Sequence, residues 1–424
     1  MPKRVVRPSW YVGPKIVFSP AVVFNRWVFV SGQLASDFEF GLIPEARPDP
    51  NLPLHCGDQV MAETRWIYRN LKGLLDEAGS GLEQAIRIDQ FPTSKAVIDP
   101  YHVVRRELLP EPRPVSTSVV IDDLMFADCT IEVELVAIRP EPGFTKEAVD
   151  VGNVRRPLGG YSPVIRVGDF VFIAGQTPTD FVQALAPEAQ VDPSFWEGNP
   201  IDRQARYILK NLDALLRAAG SSLANVVKAQ VYLSDLGDIP RLDIVWHEVF
   251  PTSPPARTIV PVGGFGQAGT RIEVNVVALA DGGATRKEPI DVAAARVPRF
   301  HEPHAVRAGD LLFLSGLVAA DAGGLIEQAR VGKNFAGSGP RQQWQYIMEQ
   351  ADLICRAAGA RLEDAVRIGV FLTDLREHLA MAGTRQATWP QSPPASTTVQ
   401  VPGPLYVPGC TLLVDLWVGL DPRG

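Results

Sequence analysis

At 424 residues the chain is too long for one ordinary core, and its length predicts about three domains. With 46% hydrophobic and 21% charged residues it has the make-up of a soluble globular protein. The 41 Lys and Arg against 48 Asp and Glu leave a net charge of −7, which argues against a polyanion such as nucleic acid as the main partner.

The opening, "MPKRVVRPSWYVGP", is basic but has no apolar core, so it does not read as a secretory signal. From Trp27, "WVFVSGQLASD" reads as a buried strand ended by glycine and followed by a loop. A helix through "YRNLKGLLDEAG", a strand, and the proline-rich turn of "PRPVSTSVVI" follow, and "CTIEVELVAI" is a last strand. The stretch "EPGFTKEAVDVGNVRRPLGG" reads as a linker.

The same order then returns. "FVFIAGQTPTD" from Phe170 is a strand. Ile208, Leu212, Leu215 and Leu216 fall at helical spacing, with Gly220 as a stop. "VVKAQVYLSD" is a strand, "IPRLDIVWHEVF" a second helix, and "RTIVPV" and "TRIEVNVVAL" two more strands. After a second linker, "DGGATRKEPIDVAAARVP", comes the third copy: "LLFLSGLVAAD" from Leu311, "MEQADLICRAAG", "SPPASTTVQV" and "CTLLVDLWVGL". The longest apolar run, from Leu311, is about half a membrane span. The spacing is steady. Ser116 to Arg257 is 141 residues, Arg257 to Ser396 is 139, and Glu132 to Glu273 is 141. A period this long is a triplicated domain, not a solenoid. The expected fold is α+β, with boundaries at 1–145, 146–288 and 289–424. Cys56, Cys129, Cys355 and Cys410 show no CxxC pairing and are expected as buried thiols.

A strand ending in SGQ, a helix ending in AAG, then "YLSDL", "PPAR" and a final "IEV" strand resemble the Rid family, the YjgF-like reactive intermediate deaminases once labelled endoribonuclease L-PSP. The resemblance covers almost the whole chain three times, most strongly in the second repeat and least in the third. It implies a chorismate-mutase-like fold, with three fused copies forming a pseudo-trimer whose ligand clefts lie between repeats. It also implies hydrolysis of a small imine or enamine carboxylic acid to a keto acid and ammonia, with no cofactor and no metal.

By that resemblance Arg257, the arginine of "PPAR", grips the substrate carboxylate, while the other copies hold Ser116 and Ser396 there and are expected to be inactive clefts. Glu132 and Glu273 are matched to the glutamate that orients the hydrolytic water; Leu413 stands at the third place. Tyr161 matches a cleft tyrosine, with Phe18 and Glu302 as its counterparts. Ser31, Gly32 and Gly175 match the residues after the first strand, with Ala174 replacing the serine in the second repeat. The chemistry fits these residue types. A guanidinium fork fixes the plane of a carboxylate, and a carboxylate near water takes its proton during attack. In residue terms alone, both glutamates lie in alternating strands that also suit a solvent-facing side chain. The expected working cleft sets Arg257 against Ser31 and Gly32, with the third repeat closing the ring.

Two other readings stand beside this one: a divergent biosynthetic hydrolase of chorismatase type on the same fold, and a non-catalytic small-molecule sensor or scaffold. A cytoplasmic protein with no membrane or nucleic-acid partner, binding a small carboxylate metabolite, is expected. "GFGQAG" from Gly264 fits GxGxxG but precedes no helix, so it reads as a hairpin loop, not a dinucleotide site. His301 and His304 in "HEPH" have no third metal ligand in view, and His247 reads as a helix-surface residue.

Overall fold

The β-branched runs of the sequence pair as strands, and in the computed structural model each unit builds one sheet backed by two helices. The structure describes residues 3–11, 18–39, 41–47, 51, 56–152, 159–182, 184–192, 194, 198–330 and 339–420. The first unit holds β1 (Arg4–Val6), β2 (Ala21–Phe24), β3 (Trp27–Gln33), α1 (Cys56–Ala78), β4 (Ala85–Pro92), α2 (Ile98–Leu108), β5 (Val115–Ser118), β6 (Asp123–Leu124) and β7 (Ile131–Ile138). The second holds β8 (Lys146–Ala148), β9 (Val164–Val167), β10 (Phe170–Gln176), α3 (Pro200–Ala218), β11 (Val226–Leu233), α4 (Ile239–Val249), β12 (Ala256–Pro261) and β13 (Ile272–Leu279). The third holds β14 (Lys287–Ile290), β15 (Ala305–Ala308), β16 (Leu311–Leu314), β17 (Leu317–Val318), β18 (Ala320–Asp321), β19 (Gly324–Leu325), α5 (Gly339–Ala357), β20 (Ala365–Leu372), α6 (Glu377–Thr388), β21 (Ala395–Gln400) and β22 (Leu412–Gly419).

The sheet orders match: β1-β2-β3-β7-β4-β5, then β8-β9-β10-β13-β11-β12, then β14-β15-β16-β22-β20-β21, with β6 of the first unit added at the last edge. The second helix of each unit is the crossover that makes β4–β5, β11–β12 and β20–β21 parallel; the other strand pairs within the units are antiparallel. Local signals explain the best-formed helix. Asn199 accepts from the Ile201 N–H at the start of α3, Pro200 follows it, and Gly220 with φ of 66° ends it.

Both faces of each sheet are covered, which is why the strands lack a clean polar alternation. Helices pack one face. The other faces meet in a core shared by all three units, where Trp27 lies edge-on to Phe170 at 5.1 Å and Phe29 to Trp417 at 6.2 Å. The edge strands close a cycle of contacts: β5 lies against β10, β12 against β16, and β21 against β3. This cycle is compatible with a trimer-like assembly made by one chain.

Two expectations need correction. The stretches read as linkers carry β8 and β14, which pair with β9 and β15 as edge strands; residues 153–158 of the first linker lie outside the described residues. "GFGQAG" is no hairpin, because β11 separates β12 from β13. The loop instead bridges two units: the Gly263 N–H donates to the Val120 carbonyl, and the Val120 N–H to that of Gly264. Cys129, Cys355 and Cys410 are buried free thiols. Among the described residues no helix is long and apolar enough to cross a membrane.

Candidate active site

Each interface joins a parallel edge strand and second helix of one unit to the first long strand of the next. That strand is disturbed near its glycine: the register shifts between Val30 and Gln33 in β3 and between Ile173 and Gln176 in β10, and β16 stops at Leu314, ahead of Gly316. The glycine makes room for a carboxylate. A Cβ on Gly175 would lie 1.9 Å from Glu273 Oε1, and one on Gly32 only 1.7 Å from Glu132 Oε1. At Gly316 the nearest contact is Leu413 Cδ1, at 3.2 Å.

The cleft between the first and second units has a volume of about 470 Å³ and is lined by residues that include Ser116, Ser118, Tyr161, Gly175 and Glu273. Glu273 is 5% exposed. Burial pushes its carboxyl up to about 8, the charge of Asp89 adds to this, and the backbone N–H of Ser118 opposes it. Behind Ser116 stands Arg105 of α2, 1% exposed, which donates to Ser116 Oγ at 2.7 Å, to Gln90 Oε1 at 3.1 Å and to the Gly159 carbonyl. Its Nε has no hydrogen-bond partner, and none of its partners is a carboxylate. Its guanidinium faces the ring of Tyr161 at 5.7 Å. Burial and the charges of Arg105 and Arg106 lower His102 to about 3, so it is neutral at ordinary pH.

The cleft between the second and third units is different. Arg257 is buried and pairs with Asp243 at 2.5 Å and Glu302 at 3.3 Å, while its ring neighbour Trp246 lies at 4.7 Å. Glu302 comes from the third unit at the place of Tyr161, and Leu413 stands where the glutamate would be. The Asp243 and Glu302 carboxylates take Nη2 and Nε of Arg257, and its Nη1 has no hydrogen-bond partner among the described residues.

Between the third and first units, Arg385 of α6 donates to Ser396 Oγ at 3.0 Å, and Glu132 lies over Gly32. This repeats the arrangement around Arg105. The spacing is the same in each unit: Arg105 and Ser116, Trp246 and Arg257, Arg385 and Ser396 are each eleven residues apart.

The family model described as endoribonuclease L-PSP matches residues 12–139, 153–280 and 294–404, most of the chain. The chain belongs to the endoribonuclease L-PSP, or Rid, family. A RutC family protein of Pyrococcus horikoshii is 40% identical over 28% of this chain and 85% of its own length. Reactive Intermediate Deaminase A of Arabidopsis thaliana is 29% identical over 31% of this chain and 65% of its own length. The crystal structure of RidA from an Antarctic Psychrobacter is 30% identical, covers 31% of this chain and 98% of that one, and has a TM-score of 0.26.

Within this Rid chain the residues singled out from sequence are divided among three interfaces. Tyr161, Gly175 and Glu273 meet in the first cleft. Gly32 and Glu132 meet in the cleft between the third and first units. Ser31 is a clip beside that cleft: its hydroxyl donates to the Ser19 carbonyl and accepts from the Ser396 N–H, both at 2.7 Å. Arg257 meets neither Ser31 nor Gly32. Its backbone N–H reaches Ser315 Oγ at 3.2 Å, so the expected pairing of Arg257 with the first unit does not form. The reason is the direction of the cycle, in which each edge strand packs on the unit after it. Arg105 and Arg385 were missed. Their signal was present: an arginine eleven residues before each serine, and tryptophan at that place in the repeat with the strand arginine. His247, an exposed helix residue, stacks on His301 at 3.6 Å, and His304 accepts the Val292 N–H.

Proposed function

We propose that the chain hydrolyses an imine or enamine carboxylic acid to a keto acid and ammonia, in the cleft between its first and second units. The observation that carries this is a buried guanidinium, Arg105, with no carboxylate partner among the described residues, directly behind Ser116 and Gly159 on the wall of the open cleft that the buried acid Glu273 also lines. A buried cation lacking a counter-ion is costly, and a substrate carboxylate would supply the counter-ion. Membership of a family that includes a protein named Reactive Intermediate Deaminase A supports the reaction class.

In this reading Arg105 holds the carboxylate, with Ser116 beside it, and Tyr161 walls the cleft. One proton is shared between Glu273 and the imine nitrogen. With the proton on nitrogen, water attacks the iminium carbon and gives its own proton to the Glu273 carboxylate. Glu273 returns that proton to the amine of the carbinolamine. The C–N bond then breaks, ammonia leaves, and the hydroxyl proton passes back to Glu273 as the carbonyl forms. The sum is imine plus water to ketone plus ammonia.

The test is ammonia release from 2-iminopropionate generated in situ from alanine by an amino acid oxidase. Acceleration that is lost in both Arg105→Ala and Glu273→Gln supports the reading; a folded Glu273→Gln protein with full turnover ends it.

A further inference from the structure

Helix α1 carries Trp66, Arg69, Asn70 and Gly73 at positions i, i+3, i+4 and i+7, which places them on one stripe. Together with Trp10 and Tyr11 ahead of β2, and Ser36 and Asp37 after β3, this stripe lines a cavity of about 420 Å³. Small-molecule sites span roughly 300–1,000 Å³. The cavity shares no lining residue with the cleft of Glu273 or with that of Glu132.

The repeats show that this opening is particular to the first unit. Tyr207 and Tyr346 stand at the place of Trp66, 141 and 280 residues on. Each ties its helix to a carbonyl four residues after the glycine of its unit, Tyr207 to Thr179 at 3.3 Å and Tyr346 to Ala320 at 3.4 Å. Ser36 is the equivalent residue after Gly32, but the Trp66 Nε1–H has no hydrogen-bond partner. In the third unit Gln350, at the place of Asn70, accepts the Arg296 N–H at 2.8 Å. Asn70 makes no hydrogen bond through its side chain among the described residues. Gly73 has Ala214 and Leu353 as counterparts. A Cβ on Gly73 would lie 2.7 Å from Trp10 Cζ2, so the missing side chain is the seat of that indole. Trp10 is held there although 43% exposed, and a seated, exposed indole beside a cavity is a contact surface for a ligand.

The walls select a neutral ring rich in hydroxyls. Arg69 lies over the Trp66 ring at 4.3 Å, so a cationic ligand meets a positive charge at the indole that would attract it. Asp37 opposes an anion in the same way. A wholly apolar ring would cover the Asn70 amide and the Arg69 guanidinium without pairing them, at a cost in desolvation. A pyranose suits every wall. Its C–H face lies on an indole, and its hydroxyls donate to the Asp37 carboxylate and accept from Asn70 and Arg69. The gluco configuration, with its ring substituents equatorial, has the flattest C–H faces. At roughly 10–15 Å³ per water-sized group, one ring does not fill the cavity and two do.

We propose that this cavity on the first unit is a saccharide site, which binds a neutral β-linked glucose disaccharide. Trp10 stacks on one ring, and Asn70, Asp37 and Arg69 hold its hydroxyls. The second and third units lack the site because their tyrosines tie the helix to the loop. The proposal concerns binding alone and does not depend on the reaction assigned to the first cleft.

The experiment is isothermal titration of the full chain with cellobiose, with tryptophan emission followed in parallel and tetramethylammonium as a cationic competitor. A millimolar Kd and a blue shift of the emission are expected, because the sugar takes the Trp10 indole out of water. Binding should weaken at least tenfold in Trp10→Ala. It should weaken as much in Trp66→Tyr, which installs the residue of the other two units and with it a tie to the Ser36 carbonyl. Circular dichroism confirms that both variants are folded. Absence of binding to the unaltered protein at tens of millimolar cellobiose overturns the proposal. So does binding that survives either folded variant, and so does displacement of the sugar by tetramethylammonium.

Discussion

Arg105 Nη1 lies 2.7 Å from Ser116 Oγ: a helix arginine rests on the strand hydroxyl at the place where the second repeat carries Arg257. Arg385 stands in the same relation to Ser396 at 3.0 Å. In two units the guanidinium is carried by the helix where the second unit carries it on the strand, yet it reaches the equivalent interface. Both of the helix-anchored clefts retain the glutamate, and the strand-anchored one has Leu413 instead.

This difference predicts opposite outcomes for two arginines. Arg105→Ala should raise KM for an imino acid by roughly 30- to 1000-fold, matching about 2–4 kcal/mol for a lost charge-assisted fork. Arg257→Ala should leave turnover of the folded protein within about twofold. It should instead lower stability by roughly 3–5 kcal/mol, because Glu302 is left buried without its cation. Steady-state kinetics and urea unfolding of both variants check this, and equal kinetic defects would refute it.

Glu273 gives a pH dependence with a definite sign. Its proton is held up to about 8 when folded and released near 4.5 when unfolded, so the folded state binds the extra proton between those values. Stability therefore falls as pH rises through that window. Catalysis that needs the shared proton should decline above about pH 8. Glu273→Gln should flatten the stability profile and abolish the enzymatic rate. The readouts are thermal unfolding and ammonia release across pH 5–9.

How much of this could be seen in the sequence depends on the kind of information each residue carries. The three-fold repeat and the α+β units follow from pattern, because a strand ending in glycine has a local signature. Which unit faces which is a matter of ring direction, and no local signal encodes that. Arg257 looked like the functional arginine because its motif survives. Yet Asp243 is fourteen residues away in chain and Glu302 forty-five, and only the fold shows that they pair with its Nη2 and Nε. Arg105 and Arg385 were hidden among the ordinary arginines near a helix C-terminus, where a cation is expected for its effect on the helix dipole. The buried glutamates were ambiguous for a similar reason: strand alternation cannot distinguish solvent from a face covered by the neighbouring unit.

The glycines supply a steric test. In Gly175→Ala the new Cβ would lie 1.9 Å from Glu273 Oε1, so the carboxyl must move off its position. A displacement of that order costs about 100-fold in rate when geometry carries catalysis. Gly316→Ala meets only Leu413 and Thr258, at 3.2 Å, and should be close to neutral in activity. Circular dichroism on both variants separates loss of rate from loss of fold, and a fully active Gly175→Ala enzyme contradicts the role of Glu273.

The buried charges that join the three units make the last prediction. Asp415 is completely buried. It accepts from Lys228 at 2.6 Å, Arg367 at 2.8 Å, Thr258 at 2.7 Å and Gln230 at 3.0 Å, joining the second and third units. Arg367 extends the network to Glu134 of the first unit. Burial alone would raise the Asp415 carboxyl, but the two cations outweigh it and hold it well below the usual range. Its contribution is thus present above about pH 4 and is lost as pH falls through the folded value. Asp415→Ala leaves two buried cations short of a partner and should cost roughly 3–5 kcal/mol. Lys228→Met combined with Asp415→Leu removes the pair together and should recover most of that loss, since Arg367 keeps Glu134. Urea unfolding of the single and double variants at pH 7 measures the difference. A double variant no more stable than Asp415→Ala would show that the network holds the three units together by more than its charge balance.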